Sequence, residues 1–197
     1  MKIIFLFLFC LIGNSLTADS IRDAYNLEKK KSYAKALKIY ERLCSEDAHN
    51  YFFHLKAGWL AYLSGRLSKS VNFYNKAIII ESGAIEPRIA LLKPLIALGK
   101  YKQAQATAKS VLRLDSKNYI ARSRIAYSLY LSGQFRGAEK YYISLVYDYP
   151  TDVEMLIGLG WTYLRRGKKR SAREVFQRAR NIQPENTRIL KGLVSAK

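Results

Sequence analysis

The chain has 197 residues, 49% of them hydrophobic and 25% charged, the balance of a folded globular domain rather than of a low-complexity segment. Only two cysteines are present, which excludes a disulfide-stapled scaffold. Lysine and arginine number 34 against 15 acidic residues, so the net charge of +19 points either to an anionic partner or to a solubilising face.

At the N-terminus, Lys2 precedes an unbroken apolar run over residues 3–12, followed by Gly13, Asn14 and Ser15 before Ala18. A basic start, a short apolar core and a small-residue zone predict a secretory signal over residues 1–18, cut after Ala18 or, as the second choice, after Ser15. The alternative is an uncleaved anchor. The run is shorter than the roughly 20 apolar residues that span a bilayer, so no transmembrane segment is expected after cleavage. Bulky Phe9 before Cys10 argues against a lipoprotein signal. The expected location is exported, periplasmic or secreted, and the absence of Asn-x-Ser/Thr sequons suits a periplasm. Removal of the leader leaves Cys44 as the lone cysteine, expected as a small core residue.

From residue 17 onward the chain repeats. Gly65, Gly99, Gly133 and Gly167 recur every 34 residues. The same frame carries the small residues Ala36, Ser70, Ala104, Ala138 and Ala172, then Tyr40, Tyr74, Ala108, Tyr142 and Phe176 four residues later. Five units, 17–50, 51–84, 85–118, 119–152 and 153–186, fit without insertion or deletion. Each reads as two amphipathic helices. In the last unit Leu156, Leu159, Gly160 and Tyr163 line one face of the first helix, and Ala172, Phe176 and Ala179 one face of the second. Glycine closes the first helix of the later four units because a left-handed residue there carries no Cβ penalty. In the third unit Pro94 falls inside the first helix, at a cost of about 3 kcal/mol and with a kink expected beside Lys93; Pro87 is harmless at the helix start. Residues 187–197, with Leu190, Leu193 and Val194, predict a short helix that caps the open end.

These positions resemble the tetratricopeptide repeat. Residues 153–186 match best, through Leu156, Leu159, Gly160, Tyr163, Ala172, Phe176, Ala179 and Pro184. Residues 119–152 follow through Ala126, Ala138, Tyr142 and Pro150, while Ala48, Ser82 and Ser116 replace the closing proline in the earlier units. The resemblance implies an all-α, right-handed superhelical solenoid of five helix–turn–helix repeats plus a short C-terminal capping helix. It also implies a concave face lined by the first helices at the fifth, ninth and twelfth positions of the frame.

The ninth positions are Tyr25, Trp59, Lys93, Tyr127 and Trp161; Tyr62 and Tyr130 are aromatic twelfth positions; Ile21, Leu55, Ile89, Ser123 and Ile157 are the fifth. The expected partner-binding groove is therefore Tyr25, Trp59, Tyr62, Lys93, Tyr127, Tyr130 and Trp161, with core packing as the competing role of these aromatics. Co-chaperones of the family grip a terminal carboxylate with lysine at the fifth position and asparagine at the ninth. Ile21 with Tyr25, and Leu55 with Trp59, stand there instead, so an apolar protein segment is the expected ligand.

A second candidate is the basic run Arg165, Arg166, Lys168, Lys169, Arg170 and Arg173, continued by Arg178 and Arg180 and relieved only by Glu174. It would attract an anionic envelope polymer or lipid surface; nucleic acid ranks low for an exported protein. No catalytic motif is present: the two glycines and the lysine between Gly160 and Lys169 lack the spacing and strand of a phosphate loop. Cys44, His49 and His54 are too poorly spaced for a metal site. No enzyme activity, cofactor or metal is expected. The expected function is an interaction scaffold of the cell envelope, with polyanion binding the alternative and an enzyme using Cys44 a weak third.

Overall fold

The computed structural model describes residues 17–197. The leader expected over residues 1–18 lies outside the described residues except for residues 17 and 18, which open the first helix. Helix α1 covers 17–29, α2 Tyr33–Glu46, α3 Tyr51–Leu63, α4 Leu67–Ile80, α5 Glu86–Ala97, α6 Tyr101–Leu114, α7 Tyr119–Leu131, α8 Phe135–Asp148, α9 Val153–Arg165, α10 Lys169–Ile182 and α11 Thr187–Ser195. No strand occurs among the described residues. The all-α architecture of repeated helical hairpins is thus the one that the 34-residue period demands.

Local chemistry sets the helix ends. Gly65, Gly99, Gly133 and Gly167 all take the left-handed conformation, with φ between 69° and 76°, and close the first helices. Lys31 holds the equivalent place in the first unit at φ 55°. First helices start on a side-chain cap that keeps the same period. Asn50 accepts from Phe53 N at 3.3 Å, Asn118 from Ala121 N at 3.0 Å, Asp152 from Met155 N at 3.2 Å and Asn186 from Arg188 N at 3.0 Å. The third unit breaks the series: Ala84 stands in register, and α5 starts without a side-chain cap but with Pro87 in its first turn. α5 then runs on through Pro94 to Ala97, with the proline ring buried.

The chain divides into two compact units, one ending at Leu98 and the other Gly99–Lys197. In the first, α2 packs on α3, α3 on α4 and α4 on α5, and the first helices α3 and α5 touch directly. Its core joins Ala24, Ala36, Leu37, Tyr40, Leu43, Phe53, Ala57 and Leu60. In the second, each helix from α6 to α11 packs on the next, and α9 also meets α7 and α11. Tyr74 and Phe176 explain the small residues of the motif. A Cβ on Gly58 would lie 2.7 Å from the Tyr74 ring, and one on Gly160 2.7 Å from the Phe176 ring. Each aromatic therefore seats directly on a first-helix backbone, and burying a ring of this size contributes about 1.5–3 kcal/mol. Helix α11 covers the last hairpin through Ile189, fully buried, and Gly192, which faces Phe176.

Candidate functional site

First-helix side chains that point away from these cores form the candidate site, one part in each unit. In the first unit Tyr25 is 54% exposed and Trp59 38%, large fractions for aromatic rings. Trp59 stacks on Tyr62, one helical turn further along α3, with ring centres 6.1 Å apart and planes 27° apart. Lys93 reaches across from α5: its ammonium lies 5.8 Å from the Trp59 ring and 5.9 Å from the Tyr62 ring. At these distances the cation is held by the ring faces. Lys29 makes the same kind of contact with Tyr25, at 4.6 Å. On the same first helices Ile21, Leu55, Ile89 and Ile96 are half-buried. Glu28, at a twelfth position, pairs through Oε2 with Lys56 Nζ at 2.8 Å; its Oε1 has no partner among the described residues.

In the second unit Tyr127 is 40% exposed. Tyr130 and Trp161 are half-buried and turn partly inward: Tyr130 meets Phe135 edge-on at 5.6 Å, and Trp161 meets Phe176 edge-on at 5.6 Å. The fifth positions expected to line the groove, Ser123 and Ile157, are buried here at 7% and 4% exposure. Their counterparts in the first unit keep part of their surface open.

The basic run is less free than its sequence implies. Arg166 and Lys168 both donate to Glu139 of α8, Lys168 at 2.8 Å. Arg170 pairs with Glu174 at 3.3 Å, and Arg173 donates to the Ala196 carbonyl at 2.8 Å. The Arg165 guanidinium lies 4.8 Å from the Phe135 ring. Lys169 and Arg180 are exposed and have no carboxylate partner among the described residues. Burial alone would raise the Glu139 carboxyl, but hydrogen bonds from Lys168 and Arg166 outweigh it and hold the group below the ordinary carboxylate range.

Reactive chemistry finds little support. Cys44 is buried, and burial, opposed only in part by Lys76, pushes its thiol up to about 11, where it is protonated and a poor nucleophile. His54 is buried and its Nε2 lies 2.9 Å from the Ala48 carbonyl. No cluster of metal-ligating side chains occurs among the described residues. Nor is any described helix long and apolar enough to cross a membrane.

Two features escaped the sequence reading. Glu139 organises the turn between α9 and α10, and the signal for it was its frame position, which holds buried Leu37 and Val71 in earlier units. A carboxylate at a core position needs partners. The contact of Lys93 with two rings on another helix has no local signal, because it joins residues of different repeats.

No curated protein matches the sequence. Among solved structures the fold is similar to that of YrrB, described as a TPR protein with an unusual peptide-binding site, at 19% identity and a TM-score of 0.74 over 87% of this chain and 89% of that one. It is also similar to MamA from Desulfovibrio magneticus RS-1, at 13% identity and a TM-score of 0.79 over 87% and 97% of the two chains. TTC0263 of Thermus thermophilus, a thermophilic TPR protein, is 16% identical with a TM-score of 0.63, over 91% and 98%. Identities this low carry the fold alone. The sequence itself matches two tetratricopeptide-repeat family models, over residues 95–156 and 154–186. With the 34-residue frame, the left-handed glycines and the hairpin stack, these matches make the chain a member of the tetratricopeptide-repeat family.

Proposed function

We propose that this protein is an exported interaction scaffold of the cell envelope that holds an apolar segment of a partner protein against the aromatic side chains of its first helices. The observation that carries the reading is the exposure of Tyr25, Trp59 and Tyr127, which occupy one frame position on three different first helices. Large rings left open on rigid elements are costly in water and effective as anchors, because they bury much area and lose little rotamer freedom. The peptide-binding site named for YrrB, a protein of the same fold, supports this use of the architecture. Export rests on the leader-like segment that starts at Lys2 and ends near Ala18. A non-enzymatic role agrees with the protonated, buried Cys44.

A second reading, binding of an anionic envelope polymer or membrane surface, draws on the net charge of +19. It stands behind the first because Arg166, Lys168 and Arg173 are already engaged within the fold.

The test is capture of envelope proteins on the purified protein, followed by titration of the recovered partner against wild type and Trp59→Ala. We expect the substitution to weaken binding by about tenfold or more, the effect of losing a central aromatic anchor. Equal affinities for the two proteins would remove the groove from the function.

A further inference from the structure

Lys93 is the one cation in a row of frame positions otherwise filled by Tyr25, Trp59, Tyr127 and Trp161. It is exposed, rests against the Trp59 and Tyr62 rings, and has no carboxylate partner among the described residues. Lys29, over Tyr25, adds a second unpaired cation to the same unit. The carboxylate that shares these positions, Glu28, is committed to Lys56 at 2.8 Å and its side chain is only 18% exposed. The charge left available beside the open rings of the first unit is therefore positive. We propose, resting on the groove reading above, that this face takes an acidic–apolar protein segment. In it an aliphatic or aromatic side chain packs on Trp59 and Tyr62, and a neighbouring aspartate or glutamate pairs with Lys93.

The two contacts reinforce each other. A side chain laid on Trp59 and Tyr62 excludes water from beside Lys93, and lower local polarity strengthens an ion pair while it penalises an unmatched charge. A neutral segment would strip water from the ammonium and return nothing. A basic segment would set like charges side by side. Selection thus acts against the wrong partner as well as for the right one.

Trp59 and Trp161 are the two tryptophans of the chain, so Trp161→Phe makes Trp59 the sole fluorescent reporter of this face. The probe is a set of short peptides selected on this protein from a random display library, each made in two forms, one with its Asp and Glu residues and one with Asn and Gln in their place. We expect carboxylates to be enriched beside Leu, Phe, Tyr or Trp, and Trp59 emission to shift saturably. The amide forms should bind about five- to tenfold more weakly, the range for one charge-assisted contact. Lys93→Met should bring both forms to one affinity, whereas Lys169→Met, an equal loss of charge elsewhere, should leave the gap intact. Equal affinity of acid and amide forms for the parent protein, or a gap that survives Lys93→Met, overturns the inference and leaves the aromatic groove standing. If no peptide moves Trp59 emission, the groove reading falls and takes this inference with it. A saturable shift with phosphatidylglycerol vesicles, in place of peptides, would assign the face to a membrane and overturn the proposal as well.

Discussion

Lys31 takes a left-handed conformation at the place where later units have glycine, with φ 55° against 75° at Gly65. A Cβ in that region costs about 1 kcal/mol, offset in part by the lower freedom of a lysine in the unfolded chain. Lys31→Gly should therefore raise stability by about 0.5 kcal/mol, and Gly133→Ala should lower it by about the same amount. An added Cβ at Gly133 meets nothing within 4 Å, so thermal unfolding of that variant reads backbone strain less the unfolded-chain entropy, with no packing clash added. Glu139 sets the other prediction at this scale. Its carboxyl is held below the ordinary value by Lys168 and Arg166, so its contribution is present above the unfolded-state pKa of about 4.3 and is lost as pH falls through the lower folded value. Glu139→Gln should cost about 1–2 kcal/mol at neutral pH, and the urea-unfolding stabilities of variant and wild type should converge in acid, as pH falls through that lower folded value. Parallel curves would mean that the pair with Arg166 and Lys168 contributes nothing through charge. The left-handed glycines were legible from their spacing alone. The partners of Glu139 were not, because hydrogen bonds 27 and 29 residues apart leave no trace in helical periodicity.

At the level of elements, the frame told which helices pair and which residues face inward, since small residues and rings four positions apart can satisfy only one packing arrangement. The caps were equally periodic, at Asn50, Asn118, Asp152 and Asn186, yet polar residues in loops carry several meanings and the series stands out only when bonded to helix N–H groups. Side-chain exposure was the least legible property. The same frame position is open in Trp59 and turned toward Phe176 in Trp161, because the neighbouring helix decides how much of a ring remains uncovered. Asp152 differs from the other caps in reaching a second helix, whereas Asn50, Asn118 and Asn186 make their second bond to a residue three positions back. It caps α9 through Oδ1 and accepts the Tyr119 hydroxyl at 2.6 Å through Oδ2, tying the start of α7 to the start of α9. Burial, together with that bond, pushes the Tyr119 hydroxyl up to about 12. Asp152→Ala should cost about 2 kcal/mol, against about 1 kcal/mol for Asn186→Ala, whose bonds are all local and whose second one is an exposed contact with Gln183. Equal losses in chemical denaturation would mean that the Tyr119 bond does not hold the two helices together.

Across the whole molecule the question is what the charge of +19 does, and salt separates the two answers. Of the 15 acidic side chains, eight pair with cations among the described residues: Asp19, Glu28, Glu41, Glu46, Glu139, Asp148, Glu154 and Glu174. Many lysines and arginines have no carboxylate partner among the described residues, so the exterior attracts any polyanion, and this attraction needs no groove. Its signature is a steep fall of affinity with salt, because each charge neutralised on the polymer releases counterions, and the slope of log affinity against log salt counts those charges. A segment held by rings and one ion pair at Lys93 releases far fewer. We expect a slope of about one for the partner segment and of several for an anionic polymer such as polyphosphate, since exposed charges are screened over roughly 8 Å at physiological salt. Lys169→Gln with Arg180→Gln should flatten the polymer slope and leave the segment's affinity unchanged, while Trp59→Ala should do the reverse. A segment affinity that falls as steeply as that of the polymer, and responds to the Lys169 and Arg180 changes rather than to Trp59, would make the charge the function and reduce the aromatic face to scaffold.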